Sequence, residues 1–306
     1  MFTRRENPVY LHEELMPCGN RYCSTTGHDL SIISPEGDVI TVIDLIPTHQ
    51  PILGMSLHPE GTLVISGRFG IALYNEGGVC GDGFNAIDTL EQSGLHVHHF
   101  AKSHIGIHGL QILSTGELLM LCLLESIPVG AVFVNRYVIA KFDLQGTMLS
   151  HVLVEDGSLH PHMLAIDYDD RIAIASNGPA EGGINLGPGW GPIKFYNRND
   201  YCQSEIRFYA TDTDTPNYLH SIHEDSSICS MLFLSDKTLA LGCERLNGDL
   251  TIRIYDVSTR SMIQEHLGML RTEIVNKVSL RSSLSNLGYD VFTPIANSMG
   301  TFSMLK

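Results

Sequence analysis

An all-β fold of stacked repeats is predicted by three observations on this chain of 306 residues. One phrase, a short apolar strand, a turn of Pro, Gly, Asp or Ser and a second apolar strand, occurs at Gly54–Gly67, His108–Leu121, His162–Ser176 and Cys229–Gly242. Aligned on Glu60, Thr115, Asp169 and Asp236, the copies are spaced by 55, 54 and 67 residues, each enough for a four-stranded unit with loops. Between them lie alternating outer hairpins at Asp29–Leu45, Tyr137–Val154, Glu205–Ile222 and Asp249–Leu267. A self-similar unit that cannot bury its own faces must stack on its neighbours, and this period describes a β-propeller.

Taken in order, the chain opens with an outer hairpin and closes on a worn inner copy near Val278–Phe292. A ring closed by combining N- and C-terminal strands in one sheet is therefore expected, which would hide two edge strands. Five blades are countable. A sixth, degenerate one is an option in the stretch from Gly288 through the C-terminus and back to Arg21, where GYDVF, TFSML and PVYL have strand character.

With 43% hydrophobic residues and no Pro-rich or low-complexity linker, residues 1–306 are expected to form a single domain with a sizeable core. The run LLMLCLL at Leu118–Leu124 is too short to cross a bilayer, and MFTRRENPVYL lacks the apolar stretch of a secretion signal, so a cytoplasmic location is expected. Seven cysteines without a CxxC pair, several inside strand patterns (Cys122, Cys202, Cys229, Cys243), read as reduced core thiols rather than a disulfide framework. Nineteen Lys plus Arg against 34 Asp plus Glu give a formal charge of −15, with the basic residues scattered. Such a surface repels a phosphate backbone, so neither nucleic acid nor an anionic membrane is an expected partner.

The segment His160–Ile174 (HPHMLAIDYDDRIAI), with the later strands IRFY at Ile206–Tyr209 and TIRIYD at Thr251–Asp256, resembles the NHL and six-bladed propeller families. Their repeat pairs P-x-G-I-A-V-D-x-x-G-x-I-x-V-A-D with an R-I-x-x-F/Y strand. The resemblance extends to the group that includes gluconolactonase-like hydrolases and strictosidine-synthase-like enzymes, and it implies a fold rather than an activity. Gluconolactonase-like members hold a divalent cation through an axial Glu, Asn and Asp. That set has no residue-by-residue match here, because Asn177-Gly178 follows a second strand instead of preceding a first.

In a propeller, the loops entering the innermost strands ring the central channel. Here they carry His49, His104 with His108, His160 with His162, and His223-Glu224-Asp225. His49, His104 and Asp225 each lie 11 residues before their aligned turn residue, and His108, His162 and Cys229 each lie seven before. Two stacked layers of ligand-type side chains follow from that spacing. His108, His162, His104 and His49 are metal-ligand candidates for zinc, iron, manganese or calcium, with nearby carboxylates as orienting partners. A metal-free site is an equal reading, with His108 and His162 as acid–base groups and Asp225 or Glu224 beside them as catalytic candidates. The plain structural alternative is that His108 and His162 pack between blades while His49 and His104 are solvated.

A denser group, His96, His98, His99, His104 and His108, has no zinc spacing; His96 and His98 alternate on one face of an expected outer strand. The segment 177–192, with six glycines, three prolines and the lone Trp190, reads as a lid-like loop. Its Asn177, Glu181 and Trp190, together with His160, are substrate-binding candidates, the indole offering a stacking surface. A second insertion, Asn75–Gly94, offers Asp82, Asn85 and Asp88 without calcium-loop spacing. No nucleotide cofactor is expected, since no Gly-rich phosphate loop, nucleophile elbow or H-E-x-x-H motif occurs in context.

Two functional readings follow. One is a small-molecule enzyme of hydrolase, lyase or cyclase type, with a His-rich, metal-competent site at the channel mouth. The other is a non-catalytic propeller that binds a peptide or protein partner. A lectin-like protein with one site per blade fits less well, because the entry loops differ from blade to blade.

Overall fold

The computed structural model describes residues 12–45, 51–67, 70–97, 107–129, 132–155, 160–167, 169–178, 203–210, 217–235, 237–245, 247–291, 295–296 and 302–303. Five antiparallel four-stranded sheets are arranged as a β-propeller. Blade 1 comprises β1 (His12–Leu15), β2 (Arg21–Ser24), β3 (Leu30–Ile33) and β4 (Val39–Ile43). Blade 2 comprises β5 (Gly54–Leu57), β6 (Leu63–Gly67), β7 (Gly70–Asn75) and β8 (Gly78–Phe84). In blade 3 the strands are β9 (Ile107–Ile112), β10 (Leu118–Val129), β11 (Val132–Phe142) and β12 (Met148–Glu155). Blade 4 holds β13 (His160–Ile166), β14 (Ile172–Gly178), β15 (Gln203–Ala210) and β16 (Asn217–Glu224). Blade 5 holds β17 (Ser227–Phe233), β18 (Thr238–Glu244), β19 (Leu250–Asp256) and β20 (Ser261–Leu267).

The first strands succeed one another around the axis, with β1 against β5, β5 against β9, β9 against β13 and β13 against β17. Burial follows from that order. The middle strands are nearly all buried, as in β6 and β19, while the outermost β4 and β20 are largely exposed. The apolar side chains pack between blades rather than within them, one cluster joining blades 1 and 2 through Tyr22, Leu30, Leu63 and Ile65, and another joining blades 4 and 5 through Ile206, Phe208, Met231 and Leu241. A sheet buried on both faces loses its alternation of apolar and polar residues, and this is why the inner hairpins read as continuous apolar runs.

The inner hairpins turn alike. His58 N–H donates to Thr62 O and Gly61 N–H to His58 O, a pattern repeated at Leu113–Glu117 and Asp167–Arg171. The turn needs a left-handed residue, supplied by Gly61 (φ +90°) and Gly116 (φ +89°) and, in blade 4, by Asp170 (φ 57°). Asp170 also accepts hydrogen bonds from Ser114 N–H (2.9 Å) and Ser114 Oγ (2.6 Å), joining the turns of blades 3 and 4 at one end of the ring.

Three expectations are corrected. The first sheet takes all four strands from residues 12–43, and among the described strands no blade combines the two termini. Its inner hairpin, HEEL and RYCS, lacks the apolar phrase because Glu13 and Glu14 sit buried in β1 against polar partners. The worn copy at Val278–Phe292 is largely helical: α2 (Arg271–Ile274) leads into α3 (Lys277–Asn286), with Asn276 accepting from Val278 N–H and Ser279 N–H as N-cap. This helix packs against both β17 and β1 and so fills the sector between blades 5 and 1. Asn276 Nδ2 donates to Glu13 Oε2 (3.1 Å), and Lys277 pairs with Glu14. The insertion at Asn75–Gly94 supplies β8 and a helix, α1 (Ala86–Gln92), capped by Asn85. Blade number is five. A two-stranded sheet, β21 (Ile295–Ala296) and β22 (Phe302–Ser303), lies near the C-terminus. Among the described residues no helix is long and apolar enough to cross a membrane.

Candidate functional site at the entry end of the ring

Register places the central histidines at an irregularity that three consecutive blades share. In blade 3, Ile107 pairs with Cys122 and Gly109 with Leu121, leaving His108 as the extra residue of a β-bulge. In blade 4, Pro161 pairs with Ser176 and Met163 with Ala175, leaving His162. In blade 5, Ile228 pairs with Cys243 and Ser230 with Gly242, leaving Cys229. Bulges of this kind take one residue out of the ladder and re-aim it, and they concentrate beside active sites. At the same distance from its turn, blade 2 has Leu53, whose N–H donates to Ser66 O just before β5 begins.

The bulges of blades 3 and 4 lie at one height. A Cβ on Gly109 would sit 2.9 Å from Leu164 Cβ, and Gln111 Nε2 donates to Leu164 O at 3.0 Å, so β9 and β13 are in close lateral contact directly after His108 and His162. Beyond Cys229, Ser230 Oγ donates to Ile274 O at 2.5 Å, which brings the helical segment against β17 at the corresponding level.

The entry end of blade 4 gathers three further sequence candidates in one register row. His160 pairs with Asn177, Asn177 with Ser204 and Ser204 with Glu224. From this row the chain leaves β14 and returns to β15, so the 177–192 segment begins there. Glu181 and Trp190 lie outside the described residues, as do His49 and His104 and most of the dense histidine group. Residues 95–97, which include His96, carry no strand.

Glu224 is the best-defined carboxylate of this end, and its surroundings are those of a clamp. It is buried between blades 4 and 5, pairs with Arg253 of β19, and accepts from Tyr255 Oη (2.5 Å), Ser226 Oγ (2.9 Å) and Asp225 N–H (2.9 Å). Arg253 also reaches Asp225 Oδ1 (2.5 Å) and Glu265 Oε1 (2.7 Å), and Arg245 meets the same Glu265 oxygen at 2.6 Å. Asp225 is exposed at the rim, with 81% of its side chain open. Burial pushes the Tyr255 hydroxyl up to about 12, so it stays a donor to Glu224 at neutral pH. Burial would also raise Glu265, but hydrogen bonds from Arg253 and Arg245 and their charges outweigh it and hold the carboxyl below its ordinary range.

Two features escaped sequence reasoning. His12 opens β1 at the entry end, opposite Ser24, and burial depresses its pKa against an opposing hydrogen bond that its ring donates to the Ile52 backbone, favouring the neutral ring. Its hairpin lacks the repeat phrase, so no alignment exposed it. The second is an arm. β10 and β11 continue pairing from Ser126–Asn135 to Val129–Val132, beyond the last partners that β9 and β12 offer, Cys122 and Arg136. The arm's described strands are residues 127–129 and 132–134, with Glu125 and Arg136 ion-paired at 2.5 Å at its base. Only its uncharged composition, two residues after LLMLCLL, could have signalled it.

Among the described side chains, no group of three His, Cys, Asp or Glu residues comes together that could hold a metal; the side chains of His108, His160, His162 and Asn177 lie outside that description. Among the described glutamates, Glu224 is taken by Arg253, Glu13 by Arg21 and Asn276, and Glu125 by Arg136, so none of these three is open to the Glu, Asn and Asp cation set that the gluconolactonase-like resemblance implies.

No family model matches the chain, and no curated protein does. Solved structures resemble it at low identity and with TM-scores under 0.5. A protein of unknown function from Bacteroides caccae is 11% identical, with a TM-score of 0.47 over 78% of this chain and 69% of that one. A catalytically inactive virginiamycin B lyase from Staphylococcus aureus, solved with quinupristin, is 10% identical with a TM-score of 0.44, over 79% of this chain and 65% of that one. The Dos1 propeller is 10% identical with a TM-score of 0.47, over 87% and 62% respectively. The chain thus spans less than two thirds of the last two. These are likenesses of fold alone and favour neither functional reading.

Proposed function

We propose that the entry end of the ring is a small-molecule site and that the protein is an enzyme of hydrolase, lyase or cyclase type, with His108 and His162 as its working groups. The observation that carries this reading is the recurrence of a bulge at the same place in consecutive innermost strands, occupied each time by a residue able to transfer a proton or ligate a metal. Bulges cost ladder hydrogen bonds. Their coincidence with His, His and Cys is what a site assembled from separate blades requires, whereas packing alone is served by the leucine in blade 2. In this reading His160 and Asn177 line the approach, and Glu181 and Trp190 contribute from the lid-like segment. Glu224 anchors the blade 4–5 seam beneath the rim carboxylate Asp225.

The test is a thermal-shift screen of small organic compounds and divalent ions against wild type and a His108→Ala/His162→Ala variant. A true ligand at about a hundred times its Kd stabilises the wild type by about 2.7 kcal/mol and leaves the variant unmoved. Equal stabilisation of both proteins by every hit would overturn the assignment and return weight to a peptide- or protein-binding propeller.

A further inference from the structure

Resting on that reading, we infer that His108, His162 and Cys229 form a three-donor site for a thiophilic divalent metal ion, zinc above all, with one coordination position left open. The inference turns on Cys229. Blades 3, 4 and 5 are neighbours in the ring, β9 touching β13 and β13 touching β17, and each slips register at the residue seven positions before its aligned turn. The third residue in that series is a cysteine rather than a third histidine.

Donor chemistry then selects the metal. Two neutral imidazoles with one thiolate are a borderline-soft set that suits zinc and disfavours calcium or magnesium, which want oxygen. Three protein donors are the number found in catalytic zinc sites, whereas structural sites use four. Two buried carboxylates of blade 4 are held elsewhere: Glu224 by Arg253 and Tyr255, and Glu205 by Arg207 at 2.8 Å. They are not available as hard ligands. Among the other described strand cysteines, Cys80 lies on the outermost strand of blade 2, and those of the middle strands are buried. Cys122 and Cys243 are fully buried in middle strands, and burial pushes the Cys122 thiol up to about 12. Cys229, by contrast, is partly accessible on an innermost strand. Metal binding would release its thiol proton to solvent, with no redox change.

The experiment is titration of metal-free, untagged protein with Co²⁺, followed by Zn²⁺ displacement, in wild type, Cys229→Ser and His108→Ala/His162→Ala. Wild type should bind about one metal ion per chain in a tetrahedral field, with a thiolate-to-cobalt charge-transfer band in the near ultraviolet. Cys229→Ser should lose that band, and the histidine variant should lose the cobalt spectrum altogether. Should Cys229→Ser misfold, wild type is alkylated with and without Zn²⁺ and read by mass spectrometry: the metal should protect Cys229 but not the exposed Cys18 and Cys80. Cobalt bound without a thiolate band, or a band that survives Cys229→Ser, overturns the three-donor site and leaves the histidine reading intact. A thiolate band that persists in the histidine variant overturns the histidine reading instead. No cobalt or zinc binding at all sinks the metal site, leaving the acid–base form of the reading to the thermal-shift screen.

Discussion

Blades 3 to 5 and blades 1 to 2 use the same four-strand unit but treat the innermost strand differently. In the larger group β9, β13 and β17 each run six or seven residues and slip register at His108, His162 and Cys229. In the smaller group β1 and β5 run four residues, and the corresponding place holds Leu53 in blade 2. The seams differ as well. Between blades 4 and 5 a buried guanidinium, Arg253, gathers Glu224, Asp225 and Glu265. Beside blade 1 the buried Glu13 and Glu14 turn to the start of α3 and to Arg21. The lesson is that a repeated scaffold concentrates donors on one arc of the ring while the remaining arc closes it.

The two groups of blades should differ most in stability at their seams. Arg253→Met leaves Glu224 buried without its cation and should cost about 3–5 kcal/mol, read from urea unfolding. Arg21→Met leaves Glu13 its Asn276 bond and should cost about 1 kcal/mol. Equal losses at the two seams would contradict the distinction.

Next in size is close approach between innermost strands. Gly109→Ala drives a Cβ against Leu164 Cβ, which cannot swing away, at a cost of about 1–3 kcal/mol. Gly54→Ala meets the Ser66 hydroxyl, which can rotate, and should cost less. A reversed order in thermal melts would mean that the strands of blades 3 and 4 are less tightly placed than the geometry states.

The seams should also separate with pH. Glu265 is held below its ordinary value, so its stabilising contribution is present above the carboxylate range and is lost as the pH falls through its folded-state pKa. Burial raises Glu13 more than Asn276, Arg21 and Cys23 lower it, so its contribution is present in acid and is lost as the pH rises through its folded-state pKa. Urea midpoints measured across the acid range should lose their acid-side fall in Glu265→Gln and the opposing trend in Glu13→Gln. The smallest effect on stability is expected from replacing His108, His162 and Cys229 by leucine, the residue of blade 2: less than about 1 kcal/mol, with complete loss of metal or ligand binding. A large destabilisation would instead assign these residues to packing.

Most of the ring was legible because its physics is local and repeated. Apolar strands around a Gly- or Asp-containing turn specify a hairpin wherever they occur, and the expected outer pairs at 29–45, 137–154, 205–222 and 249–267 all form. What failed was the blade whose inner hairpin carries Glu13, Glu14 and Arg21 instead of an apolar run. Its buried charges are satisfied by Asn276 and Lys277, more than 260 residues away, and no local pattern announces a partner at that distance. The helix of residues 277–286 was hidden for a related reason: its apolar positions are few, and only the neighbouring blades show which of them are buried.

The candidate site divides the same way. Counting back from the turns was enough to align His108, His162 and Cys229, because one repeat spacing governs both turn and entry strand. The register slip that takes each of them out of its ladder is a property of strand pairing, and so is the row that joins His160, Asn177 and Glu224. Sequence by itself determined the all-β repeat, the turn chemistry and the identity of the donors, since these depend on neighbours along the chain. The blade count, the helical closure, the capture of Glu224 by Arg253 and the bulged register were decided by tertiary structure, because each depends on which distant strand lies alongside and which buried charge finds its partner there.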